Sequence, residues 1–160
     1  MIKISILFLF ISIISCKTNS DNFEKFEISS TDGWIENYSF ILYKDSSFIL
    51  KKSPKNEWGK LNESEFQSLL SQIQEVKNKK LNSKTETCYD CSKVSIKITS
   101  KNDTLKIIQK GDISKEIDDL KILIKKITFN KKNFILKTYE TFETQKDLEP
   151  PFPPKILNYK

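Results

Sequence analysis

The chain has 160 residues, 38% of them hydrophobic and 30% charged, and a formal net charge of +6, enough for one domain with a modest core. It contains no His, no Arg and no Ala, which removes Ser-His-Asp and Cys-His nucleophile pairs and imidazole metal clusters. No Ser-x-x-Lys spacing is present for a serine–lysine nucleophile, and three Gly cannot build a phosphate-cradling loop.

At the N-terminus, Lys3 precedes an apolar run from Ile4 to Ile14, broken only by Ser5 and Ser12 and followed by Ser15-Cys16. The run is shorter than the roughly 20 residues a bilayer-spanning helix needs and fits the hydrophobic region of a signal peptide. Ile13-Ile14-Ser15-Cys16, with an aliphatic residue three before the cysteine and a small residue just before it, resembles the lipobox of secreted bacterial lipoproteins. The resemblance implies that residues 1–15 are a cleaved signal peptide. It also implies that Cys16 carries diacylglycerol on its thiol and an acyl chain on its new amine, so that several chains hold the protein on a membrane. The plainer alternatives are an ordinary signal peptide with a chance cysteine after it, or an uncleaved anchor. Residues 16–23 are a short tether. Running from it into the domain, Ser20-Asp21-Asn22-Phe23-Glu24 is similar to the acidic signal that sends flavobacterial lipoproteins to the cell surface, with Asn22 in place of an acid. The alternative is an acidic solvated tether.

Phe26 to Ser29 forms a first strand, and Asp32-Gly33 marks a turn. Tyr38 to Tyr43 alternates, with Tyr38, Phe40 and Leu42 on one face. Asp45-Ser46 turns the chain and Phe48 to Lys51 returns, a hairpin. Pro54 to Gly59 reads as a break in the pattern. Asn62 and Glu65 then make an Asn version of the capping box, with Leu61 and Phe66 at the hydrophobic-staple positions. Phe66, Leu69, Leu70, Ile73 and Val76 follow at helical spacing. The Lys-rich stretch from Lys77 to Lys80 closes the helix in accord with its dipole. Residues 78–92 read as a polar loop. Val94, Ile96 and Ile98 alternate with Lys and Ser, and Leu105 to Ile108 return as a second hairpin. A second amphipathic helix follows from about Ser114, with Ile117, Leu120, Ile124 and Ile127 on one face. Phe134 to Tyr139 reads as a last strand, and the Pro-rich tail around Phe152 is extended.

This order predicts an α+β fold: a two-layer sandwich with an antiparallel sheet of two hairpins, strand-strand-helix twice, both helices on one sheet face and the other face polar and wet. The predicted organisation is an α+β domain over residues 24–128 and a C-terminal extension over 129–160. Together with the N-terminal address, the pattern resembles small α+β domains of lipoproteins from the same bacterial phylum, which bring no catalytic residues to carry over.

Cys88-Tyr89-Asp90-Cys91 admits three readings: a local disulfide pinning the loop before Val94, free thiols, or a redox or metal role. Trp34 and Trp58, near turns, read as rim packing or as a stacking platform for a sugar or peptide. Asp118-Asp119 and the pair Glu63 and Glu65 read as solvated surface or helix N-terminal charge rather than acid–base machinery. Asp103-Thr104-Leu105 matches the short acceptor pattern for O-glycosylation in secreted proteins of that phylum, which marks Thr104. All 27 basic residues are Lys, scattered among 21 acids. That points to A/T-rich codon usage rather than a nucleic-acid interface, which favours arginine forks on base edges.

The expectation is therefore a lipid-anchored cell-envelope lipoprotein at the outer membrane, on its periplasmic or cell-surface side. It is read as a binding or scaffolding module rather than an enzyme, with no metal and no cofactor. The partners expected are the membrane and an envelope protein or glycan, with no nucleic acid. A membrane-tethered immunity or inhibitor protein is the alternative, and a carboxylate-dependent hydrolase of envelope polymers comes last.

Overall fold

The computed structural model describes residues 23–31, 37–52, 55–85, 91–129, 131, 134–135 and 141–148. They form a mixed α+β structure. Strands β1 (Phe23–Thr31), β2 (Asn37–Tyr43), β3 (Ser47–Lys52) and β4 (Lys55–Lys60) precede helix α1 (Glu63–Asn78). β5 (Lys84–Thr85), β6 (Lys93–Ser100) and β7 (Asp103–Lys110) lead to helix α2 (Lys115–Phe129), then β8 (Phe134–Ile135) and the single turn α3 (Glu143–Lys146). The sheet order is β5-β7-β6-β1-β2-β3-β4-β8. Its six longer strands are antiparallel, and only the two-residue β5 runs parallel to its neighbour.

Both expected hairpins form, β2 with β3 and β6 with β7, but they are not side by side. β1 lies between them, paired with β2 along one edge and β6 along the other. Its nine residues are long enough to satisfy both ladders. Residues 55–60, expected as a break, are a strand instead. Trp58 is the only large apolar residue there, so no period-two signal marks the strand, and its ladder with β3 defines it.

The hairpin turn before β3 is built by Asp45, whose carboxylate accepts from the Ser47 amide at 3.1 Å and the Ser47 hydroxyl at 2.6 Å. These bonds hold the Asp45 carboxyl below its ordinary range, the side-chain bond first. Ser46 takes the left-handed conformation at φ 65°, as the last residue of a three-residue hairpin loop does.

One phase of five strands points into the core: Phe26 and Ile28 from β1, Phe40 and Leu42 from β2, Phe48 and Leu50 from β3, Ile96 from β6 and Ile107 from β7. Phe66, Leu69, Ile73 and Val76 of α1 and Ile117, Leu120 and Ile124 of α2 join the same cluster. The capping box of α1 forms as expected: Asn62 Oδ1 accepts from the Glu65 amide at 2.9 Å, and Glu65 Oε2 from the Asn62 amide at 2.8 Å. Glu65 also pairs with Lys131 just past α2 at 2.6 Å, while Lys79 past α1 pairs with Glu116 at the start of α2 at 2.6 Å. The two helices therefore run antiparallel. Gln109, buried on the core side of β7, fixes the entry to α2. Its amide oxygen accepts from the Ser114 amide at 2.8 Å and its nitrogen donates to Ser114 Oγ at 2.8 Å.

Leu120 and Ile122 separate core from surface on one helix, since the first is fully buried and the second exposed. Leu120→Ala should lower the unfolding free energy by about 2–5 kcal/mol. Ile122→Ala should change it by less than about 0.5 kcal/mol. Urea denaturation of the two variants checks both values.

Candidate binding face

Because side chains alternate along a strand, the phase opposite the core collects on the other sheet face. There β1 places Lys25, Glu27 and Ser29, β2 places Ser39 and Ile41, and β3 places Ile49 and Lys51. β6 adds Ser95 and Lys97, and β7 adds Lys106. The expectation of a polar face is met in composition, but its centre is not wet: Glu27 is 1% exposed, and Ser29, Ser39 and Ser95 are buried too. Residues 141–148, from the expected C-terminal extension, lie over it.

Each contact of this segment is specific. Phe142 is buried against Ile41 and Ile49, with Tyr43 at the margin. Lys51 stands over the Phe142 ring, 6.0 Å from its centroid, and donates to Gln145 Oε1 at 2.7 Å. The Thr144 amide and hydroxyl donate to Glu27 Oε1 at 2.6 and 3.0 Å. Ser29 Oγ lies 2.7 Å from both Ser39 Oγ and Thr144 Oγ1, extending a buried hydroxyl chain. The second Glu27 oxygen accepts no hydrogen bond, yet it sits 3.2 Å from Lys25 Nζ, a charge contact without hydrogen-bond geometry. Toward the far edge Lys97 pairs with Glu143 at 2.5 Å. Asp147 accepts from Ser95 Oγ at 2.6 Å and pairs with Lys106 at 2.6 Å.

These contacts differ in weight. The exposed lysine pairs contribute little each. The buried carboxylate of Glu27 is costly to leave unmatched, so its bonds to Thr144 fix where the segment lies. A single helical turn does not persist by itself, so the conformation of α3 is imposed by the face. The arrangement grips a peptide by its backbone N–H, its aromatic ring and its acids.

The residues singled out from sequence fall as follows. Cys16, Trp34 and Cys88 lie outside the described residues. Cys91, just before β6, is disulfide-bonded, and its partner lies outside the described residues, as do both other cysteines of the chain. Trp58 is on β4 opposite Ile49, hence on the gripping face, and is 38% exposed. Thr104 is exposed on β7 opposite Thr99, one residue into the strand after the turn. Asp118 pairs with Lys121 at 3.3 Å, and Glu63 accepts from Gln67 at 2.7 Å, so these acids serve their own helices. Among the described residues no group of three or more His, Cys, Asp or Glu side chains could hold a metal ion, and no helix is long and apolar enough to cross a membrane.

Sequence reasoning missed Glu27, Ser29, Thr144 and Asp147. Glu27 and Ser29 occupy the outward phase of a strand and read as solvated. Nothing in the sequence announces a partner more than a hundred residues away, as Thr144 is for both. No family model matches the chain's sequence, and no curated protein matches it.

Hydrogen bonding from Lys97, then its charge, holds the Glu143 carboxyl below its ordinary value of 4.5. A carboxyl depressed in the folded state adds stability that is complete above the unfolded value and lost as pH falls through the folded one. The urea midpoint should therefore fall as pH drops below 4.5, and Lys97→Gln should flatten part of that acid limb. Equal acid limbs for the variant and the unaltered chain would contradict this account.

Proposed function

We propose that the chain is a lipid-anchored cell-envelope lipoprotein of the outer membrane whose domain, a two-layer α+β sandwich, is a non-catalytic binding or scaffolding module. The observation that carries the binding role is the sheet face itself, where side chains from five strands hold an acidic, aromatic-bearing segment through hydrogen bonds, ion pairs and apolar packing. The anchoring role is supported by the run from Ile4 to Ile14 and by Ile13-Ile14-Ser15-Cys16. Acylated Cys16 fixes the module at a membrane, and the face then meets an envelope protein or glycan. Trp58, at the margin of that face, is suited to extend a contact by stacking.

Cys88 is the partner this reading assigns to the disulfide-bonded Cys91, because the Cys16 thiol is committed to lipid. So short a loop gains little chain entropy from closure, and the bridge serves to order the approach to β6.

Two measurements test the proposal. In a Gram-negative host the chain should partition with the membranes, with an intact mass equal to residues 16–160 plus acyl chains. Cys16→Ala should move it to the soluble fraction, and unchanged membrane retention of that variant would defeat the anchoring. Alkylation of the denatured protein should label Cys88 and Cys91 only after reduction, and labelling of either without reductant would remove the proposed bridge.

A further inference from the structure

We infer that the sheet face beneath residues 141–148 is a receptor for an acidic, aromatic-led peptide segment of a partner protein, and that the chain's own segment occupies it as an internal stand-in. The inference deepens the binding-module reading and rests on it.

Three features make the segment exchangeable. The main core contains none of its residues, and Phe142 belongs to a separate small cluster on the other face. Among the described residues no backbone–backbone hydrogen bond joins it to the sheet, so the ladders stay whole when it leaves. Its helical turn is too short to hold its own shape.

The chemistry of the seat defines the occupant. Ile41 and Ile49 take an aromatic ring. Lys97 takes an acid immediately after it, and Lys106 with Ser95 takes a second acid four residues further on. Glu27 lies between these points and accepts a backbone N–H. That carboxylate decides between the polymers that lysines attract. A peptide brings an N–H to it, whereas a phosphate backbone would be repelled by it. Because the internal segment is covalently tethered, its effective concentration is high, so a partner competes only when it is itself held nearby or binds more tightly. Tethering of both proteins to one membrane supplies such proximity.

The test uses the full chain and a fluorescein-labelled peptide, Thr-Phe-Glu-Thr-Gln-Lys-Asp-Leu, matching residues 141–148. In the Glu143→Lys, Asp147→Lys variant the internal segment is repelled by its lysines. That variant should bind the peptide about tenfold or more tightly than the unaltered chain, by fluorescence anisotropy. Adding Lys97→Glu and Lys106→Glu should abolish the gain. A melting curve by circular dichroism establishes that each variant is folded. No gain in a folded variant, or equal binding of oligothymidylate or of a charge-reversed peptide, would overturn the inference. A second measurement needs no variant. Saturating peptide should speed hydrogen exchange at the Thr144 amide of the unaltered chain, and unchanged exchange would also overturn it. Anchoring is read separately by membrane fractionation, so failure here leaves that part of the reading standing.

Discussion

The alternation of β1 is the constraint on which the rest of the structure depends. Within four residues the strand sends Phe26 and Ile28 into the main core and Glu27 and Ser29 to the opposite face. Both of its edges are paired, so it cannot shift register without breaking two ladders. A slip of one residue would place a carboxylate among Phe40, Ile96 and the helices, and phenylalanine against Thr144. Burying an unmatched carboxylate in an apolar core costs more than any single contact in a domain of this size returns. The central strand is thus held from both sides by opposite chemistry.

The consequence is a sheet with two unequal faces. One shares an apolar cluster with α1 and α2 through aliphatic and aromatic packing. The other is closed at its centre by a short segment through hydroxyls, one buried carboxylate and lysine–acid pairs, with Phe142 as its main apolar anchor. The first kind of contact sets global stability. The second is directional and depends on matched donors, acceptors and charges rather than on bulk hydrophobicity.

Much of the helical architecture was legible in the sequence. Asn62 and Glu65 announce the start of α1 three residues apart, and both hydrogen bonds of the capping box form as the spacing requires. Leu69, Ile73 and Val76, and likewise Ile117, Leu120 and Ile124, lie on the buried stripes that their spacing predicts. The β2–β3 and β6–β7 hairpins were legible for the same kind of reason, since their alternation and turn residues are local signals. β4 was not, because a strand that gains its order from a neighbour need carry no apolar period of its own. The place of β1 was equally hidden: alternation shows which way its side chains point and is silent about which strands flank it.

The candidate face shows the same division more sharply. By itself the sequence determined α1, α2, the two hairpins, their core-facing phases and the residues available for outward display, because propensity, capping and periodicity act over a few neighbouring residues. Tertiary structure alone decided that β1 sits between the hairpins and that Glu27, Ser29 and Ser95 are buried polar groups rather than solvated ones. It alone brought Thr144 and Asp147 onto them. Burial is a property of what covers a residue, and here the cover comes from far along the chain, beyond the reach of any local pattern.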